Sequence, residues 1–210
     1  MRSERSRIFL AAAGFAAVAA LVSGCGDAGS GAAASEPTDA AAPATPTPTV
    51  AIPPRPREVT VEGVDPCAIF TREQLRELKV AREPRVPTDT NRVPELQGPQ
   101  CAFSIEDDGK YYDYAVHLLM TEGIEPWLTG KRNADAHLVS VGGFPAVSFY
   151  IRGGGKGSFG FACYTSVGVA EGQQLYVTMQ ALSKAFSQEQ LCAMSERAAG
   201  LALQTLQTMK

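Results

Sequence analysis

Three regimes of hydrophobic patterning divide the chain. Apolar residues run almost unbroken from Ile8 to Val22. Between residues 26 and 57 they thin into Ala, Gly, Pro, Ser and Thr without any period, and from Glu58 to Lys210 they recur at the spacings of regular elements. The third regime predicts the fold. Helical periods near its two ends bracket a stretch of period two. Tyr112, Tyr114, Val116, Leu118 and Met120 alternate with Asp113, Ala115, His117 and Leu119, while Val147, Phe149 and Ile151 alternate with Ser148 and Tyr150. Phe161, Cys163, Thr165, Val167 and Val169 share one strand face, and Leu175, Val177 and Met179 share another. Turn chemistry at Glu106-Asp107-Asp108-Gly109, Gly153-Gly154-Gly155 and Ala170-Glu171-Gly172 suits hairpins. The economical reading is α+β: an antiparallel sheet with N- and C-terminal helices packed on one face.

Both helix starts are written in side chains. Thr71 and Gln74 form a capping box, with Phe70 and Leu75 at the two positions of a hydrophobic staple. Ser187 and Gln190, flanked by Phe186 and Leu191, repeat that solution. The flanking cysteines fall at different offsets, which favours a reused cap over a duplicated module.

The first regime is an address. Arg2, Arg5 and Arg7 precede the apolar run, the layout of a secretory signal. A spanning helix needs about 20 apolar residues, more than Ile8 to Val22 supplies. Val22-Ser23-Gly24-Cys25 resembles the bacterial lipobox, where small residues let the peptidase hold the backbone and the cysteine thiol takes the lipid. The resulting expectation is a signal peptide over 1–24, lipidated Cys25 opening a tether over 25–57, and a single α+β domain over 58–210. Proline-rich chain extends about 3.1 Å per residue, so such a tether holds its domain well clear of the membrane, and its threonines among prolines suit O-glycosylation.

With Cys25 assigned to lipid, Cys67, Cys101, Cys163 and Cys192 remain for an oxidising compartment. Four cysteines allow three pairings. The preferred one joins Cys67 to Cys101 and Cys163 to Cys192, since each bond then ties a helix start to a neighbouring strand. Without a Cys-x-x-Cys spacing, and with His117 and His137 the only histidines, a metal site is not expected. No cofactor is implied. The formal charge is -3, and loss of the leader removes three arginines against one glutamate, leaving no basic field for nucleic acid.

Gly155-Lys156-Gly157-Ser158-Phe159-Gly160 has the letters of a dinucleotide loop, but a strand follows where a helix is required, so it reads as a hairpin turn. His117 and His137 stand beside no nucleophile in an activating local context and read as structural or surface residues. Two loops invite more attention. Val80 to Gln100 is proline-rich and aperiodic, and Glu122 to Ala136 carries the only tryptophan, Trp127, close to Lys131 and Arg132. That trio could stack on and neutralise an anionic or sugar ligand. The alternative is Trp127 plugging the core edge beside a short helix.

The whole layout resembles an actinobacterial lipoprotein family, domain of unknown function 3558. The resemblance rests on the lipobox and tether, Val64-Asp65-Pro66-Cys67 leading into Thr71-Arg72-Glu73-Gln74-Leu75, Gly98-Pro99-Gln100-Cys101-Ala102-Phe103, Val141-Gly142-Gly143-Phe144-Pro145-Ala146, and a cysteine-bearing final helix. Phe103 stands where such sequences often carry Trp. The resemblance implies a lipid anchor on the outer face of the cytoplasmic membrane and supplies no catalytic residues. The expected role is therefore a non-enzymatic envelope module that meets the membrane through Cys25 and binds a small ligand or an envelope protein. A carrier of apolar ligands and a hydrolase using His117 or His137 are the alternatives.

Overall fold

A computed structural model describes residues 50–88, 97–153, 161–181 and 184–209. The leader, Cys25, most of the expected tether and the glycine-rich stretch Gly155 to Gly160 lie outside the described residues. Six strands form one antiparallel sheet: β1 (Gln100–Asp107), β2 (Lys110–Leu119), β3 (Ala134–Val141), β4 (Phe144–Ile151), β5 (Phe161–Ala170) and β6 (Gln173–Ala181). Their order is β1-β2-β6-β5-β4-β3. The hairpin β1-β2 therefore stands beside the last strand of a meander running from β3 to β6. Local turns make the hairpins: Asp108 and Gly109 close β1-β2 at φ 50° and 70°, and Gly142 and Gly143 close β3-β4 at 56° and 83°. Positive φ at both central residues is the type I′ requirement, and glycine meets it without strain.

The register aligns the apolar parity of the central strands. Phe103 faces Tyr114, Tyr114 faces Met179, and Met179 faces Cys163, so one row of side chains crosses β1, β2, β6 and β5. Above this face lies α3 (Gln188–Leu206), which buries Leu191, Ser195, Ala198, Ala199, Ala202, Leu203 and Leu206. The i, i+4, i+7, i+8 spacing makes the stripe, and alanines at its centre let the helix approach the sheet closely. Each buried leucine contributes roughly 2–3 kcal/mol. Both capping boxes are present: Thr71 and Ser187 accept from the Gln74 and Gln190 amides, and both glutamine side chains return the bond.

The amino-terminal helix differs from expectation. Helix α1 (Arg72–Glu77) has six residues and none of them is buried. Leu75 is its only large apolar residue, and Lys79, at φ 60°, turns the chain away immediately afterwards. So little apolar surface cannot cover a sheet. Residues outside the helix do so instead, with Ile69, Phe70 and Leu78 buried and Phe70 set edge-on to Phe103 at 4.9 Å. Gln74 links α1 to α3 by donating to the Leu201 carbonyl and accepting from the Thr205 hydroxyl.

Two disulfides pin these coverings to the sheet. Cys67, in the 3-10 turn Pro66–Ala68, bonds Cys101 of β1, and Cys163 of β5 bonds Cys192 of α3, with Cα separations of 5.1 and 4.9 Å. This is the pairing preferred from the sequence. The bonds join residues 34 and 29 apart, for which chain entropy gives about 3–4 kcal/mol each. The chain docks before Glu58: Ile52 packs against a second apolar cluster, and the Arg57 guanidinium donates to Gln207. The Val59 amide then bonds the Val169 carbonyl, and Val61 enters the main core.

Candidate functional site on the second face of the sheet

The opposite parity of the strands builds a different surface. Leu119, Val147, Phe149 and Tyr176 project there with Ala134, forming a second core with Ile124 and Trp127 that Leu138 and Tyr164 flank. Its cover is the chain from Glu122 to Asn133, containing the one-turn helix α2 (Glu125–Leu128). Trp127 is 6% exposed and stacks on Phe149 with ring centroids 3.9 Å apart. Phe149 in turn stacks near Tyr164 at 5.1 Å, and the Arg132 guanidinium lies 4.0 Å from the centre of the Trp127 ring. Four planar groups, Arg132, Trp127, Phe149 and Tyr164, thus follow one another. A desolvated cation over an indole is worth about 2 kcal/mol.

Glu122 holds the arginine. Both its carboxylate oxygens accept from Arg132 Nη2 at 2.7 Å, with the two side chains only 20% and 24% exposed. Beneath them Gln174 of β6, fully buried, fastens the loop to the sheet. Its amide nitrogen donates to the Glu122 and Gly123 carbonyls at 2.8 Å, and its oxygen accepts from Trp127 Nε1 at 3.4 Å and from the Ser166 hydroxyl.

His117 of β2 adjoins this cluster, edge-on to Tyr176 at 5.5 Å. Burial pushes its imidazole down from 6.5 to about 4, so it is neutral at physiological pH. Burial likewise raises the Tyr164 and Tyr176 phenols. Chemically the face offers stacked rings, phenolic groups and one neutralised guanidinium. Two nitrogens within it, His117 Nδ1 and Arg132 Nη1, are buried without a hydrogen-bond partner among the described residues.

Of the trio singled out in the sequence, Trp127 and Arg132 are brought into contact and Lys131 is exposed beside them. His137 is exposed on β3, away from any activating partner among the described residues. Glu122, Gln174, Tyr164 and Tyr176 were not foreseen as members of the site. The available signal was parity: Tyr164, Ser166, Tyr176 and Thr178 occupy positions that an alternating strand turns away from the main core.

Fold and site together define a small α+β module: an antiparallel sheet with one face closed by a disulfide-pinned helix and the other carrying a loop-covered aromatic cluster. The chain belongs to a protein family of unknown function, DUF3558, whose model matches residues 20–205. No curated protein and no solved structure matches it.

Proposed function

We propose that this chain is an exported lipoprotein, anchored through lipid on Cys25 to the outer face of the cytoplasmic membrane, that binds a ligand or an envelope partner through its second face without catalysing a reaction. The observation that carries the binding role is that two buried nitrogens on that face lack hydrogen-bond partners among the described residues. Arg132 Nη1 and His117 Nδ1 are buried on a surface lined by stacked rings. A buried nitrogen lacking a hydrogen bond costs about 1–3 kcal/mol, which a ligand supplying both an acceptor and a ring or apolar body would offset. The two disulfides agree with export, since such bonds persist in oxidising compartments.

The hydrolase alternative has less support. His117 is neutral, lies edge-on to the Tyr176 ring, and its Nδ1 meets no hydroxyl or thiol by a hydrogen bond among the described residues. The carrier alternative also has less support, because the apolar row on the first face is filled by α3 and the Val59 to Leu78 segment.

Two experiments test the proposal. Metabolic labelling with a fatty-acid analogue should mark the wild-type chain and not the Cys25→Ala variant; equal labelling of both refutes the anchor. A photocrosslinking residue replacing Tyr164 should yield a discrete adduct in whole cells, weakened by Arg132→Met, whereas the same residue at exposed Glu189 on α3 should not. Identical adducts from both positions, or none from either, would remove the second face as the binding surface.

A further inference from the structure

The two edges of the sheet are treated differently. Outside β1, Val80 bridges Ile105 and Arg85 bridges Ala102, with the Arg85 and Ala102 amides and carbonyls exchanging bonds at 3.0 and 2.8 Å. Outside β3, no described strand pairs. β3 nevertheless runs eight residues in unbroken register with β4, from Ala134 opposite Ile151 to Val141 opposite Phe144. Ala-Asp-Ala-His-Leu-Val-Ser-Val contains no lysine, arginine, proline or glycine and makes no bulge. Its one charge, Asp135, stands near the end away from the turn and accepts from the Tyr150 hydroxyl, so the edge from Ala136 to Val141 lacks the usual blunting devices.

The turn fixes which backbone groups point outward. In a two-residue hairpin the pair flanking the turn is hydrogen-bonded, so Val141, Val139, His137 and Asp135 bond to β4 and the intervening residues present their N–H and C=O groups to the edge. The Ala134 amide is taken by the Arg132 carbonyl at 2.7 Å. The outward set left with both groups is Ala136, Leu138 and Ser140, which is symmetric about Leu138.

We propose that β3 pairs antiparallel with β3 of a second copy of this chain, about a two-fold axis through Leu138, joining the two sheets into one. Leu138 then faces its own counterpart, Ala136 faces Ser140, and every N–H and C=O in the set finds a partner. His137 meets Val139, and no like charges stand opposite each other. A two-fold axis normal to the sheet also keeps both second faces on the same side. Ile52, docked against that face, is then on the same side in both copies, so two tethers can enter one membrane; this last point alone rests on the lipid-anchor reading. A second copy is favoured over an unrelated peptide because the outward set is its own complement.

The test uses the full chain carrying Cys25→Ala, so that an added thiol is the only free one. Directly opposed Cα atoms of a hydrogen-bonded pair lie about 5.5 Å apart, within disulfide reach, whereas two copies of residue 140 would be separated by roughly 14 Å. Mild oxidation should convert Leu138→Cys to a covalent dimer and leave Ser140→Cys monomeric. Sedimentation of the same background without an added thiol should show a dimer, weakened about a hundredfold by Ala136→Pro, which removes an outward donor at a position where an edge strand tolerates proline. If near-UV circular dichroism shows that Ala136→Pro has unfolded, Leu138→Lys serves the same purpose. A monomeric mass across the micromolar range, equal crosslinking at 138 and 140, or a dimer indifferent to both edge substitutions overturns the proposal.

Discussion

Gln174 offers the sharpest test of how the second face is held together. It is fully buried, and its one amide group satisfies two loop carbonyls, the indole N–H of Trp127 and the Ser166 hydroxyl. Gln174→Ala removes all four contacts. A neutral hydrogen bond contributes about 1 kcal/mol net, the indole bond is long at 3.4 Å, and the abandoned carbonyls of Glu122 and Gly123 can recover part of the loss through water if the loop lifts. The expected cost is about 3 kcal/mol, or roughly 6–12 °C in melting temperature for a domain of this size.

Trp127 makes the experiment local as well as global. As the only tryptophan, stacked on Phe149 and beneath the Arg132 guanidinium, it reports the loop through its emission, while far-ultraviolet circular dichroism reports the sheet. In denaturant titrations with the disulfides intact, the two probes should coincide for the wild type. In Gln174→Ala the tryptophan transition should move first and its native emission shift to the red. Stability within 0.5 kcal/mol of wild type, with unchanged emission, would refute the assignment of Gln174 as the fastening residue.

Three further outcomes follow from the same structure. Burial holds His117 at about 4 against 6.5 in the unfolded chain, so between these values the unfolded chain binds the proton and the folded chain does not; stability is complete above about pH 7 and falls by up to roughly 3 kcal/mol as pH drops towards 4. Urea titrations across this window should show the slope, and His117→Gln should flatten it. The buried hydroxyls of Ser148 and Thr165 face each other across β4 and β5 without a hydrogen-bond partner among the described residues, so Thr165→Val should raise stability by about 1 kcal/mol in thermal melts, whereas a fall of that size would mean the hydroxyl is satisfied. Replacing Cys163 and Cys192 together by alanine should cost about 3–4 kcal/mol in the same assay, with the Cys67–Cys101 bond still formed by mass.

What the sequence made legible was local. Capping boxes are satisfied within four residues, and strand alternation repeats every two, so Thr71, Ser187 and the central strands could be placed from their neighbours alone. Non-local choices were harder to read. Nothing near Gln173 to Ala181 says that β6 returns beside β2, because that pairing depends on the aggregate apolar parity of five other strands. Met120 continued the alternation yet is 44% exposed, since β2 ends at Leu119 as the chain lifts to begin the Trp127 loop. Gly98 marks a close approach that spacing could not reveal: a side chain there would strike the Leu118 carbonyl. Of the candidate site, Trp127 and Arg132 were legible as an aromatic next to a cation. Glu122 and Gln174, which fix their geometry, come from opposite ends of a long sequence separation and carry no local pattern.

The two faces differ most in how their coverings are attached. Cys101 and Cys163 both belong to the first core, so the 3-10 turn and α3 are each held on that face by a covalent bond as well as by burial. The cover of the second face has no such bond among the described residues. It rests on the stacking of Trp127, the Arg132–Glu122 pair and the reach of Gln174. Opening it breaks no disulfide and leaves the first core in place, so it costs less free energy than unfolding the whole domain. A binding surface needs such a difference: ligand contacts worth a few kcal/mol can reorder a loop held by noncovalent contacts of similar size, but cannot displace a helix crosslinked to the sheet. The proposed binding role therefore falls to the face whose cover carries no crosslink among the described residues.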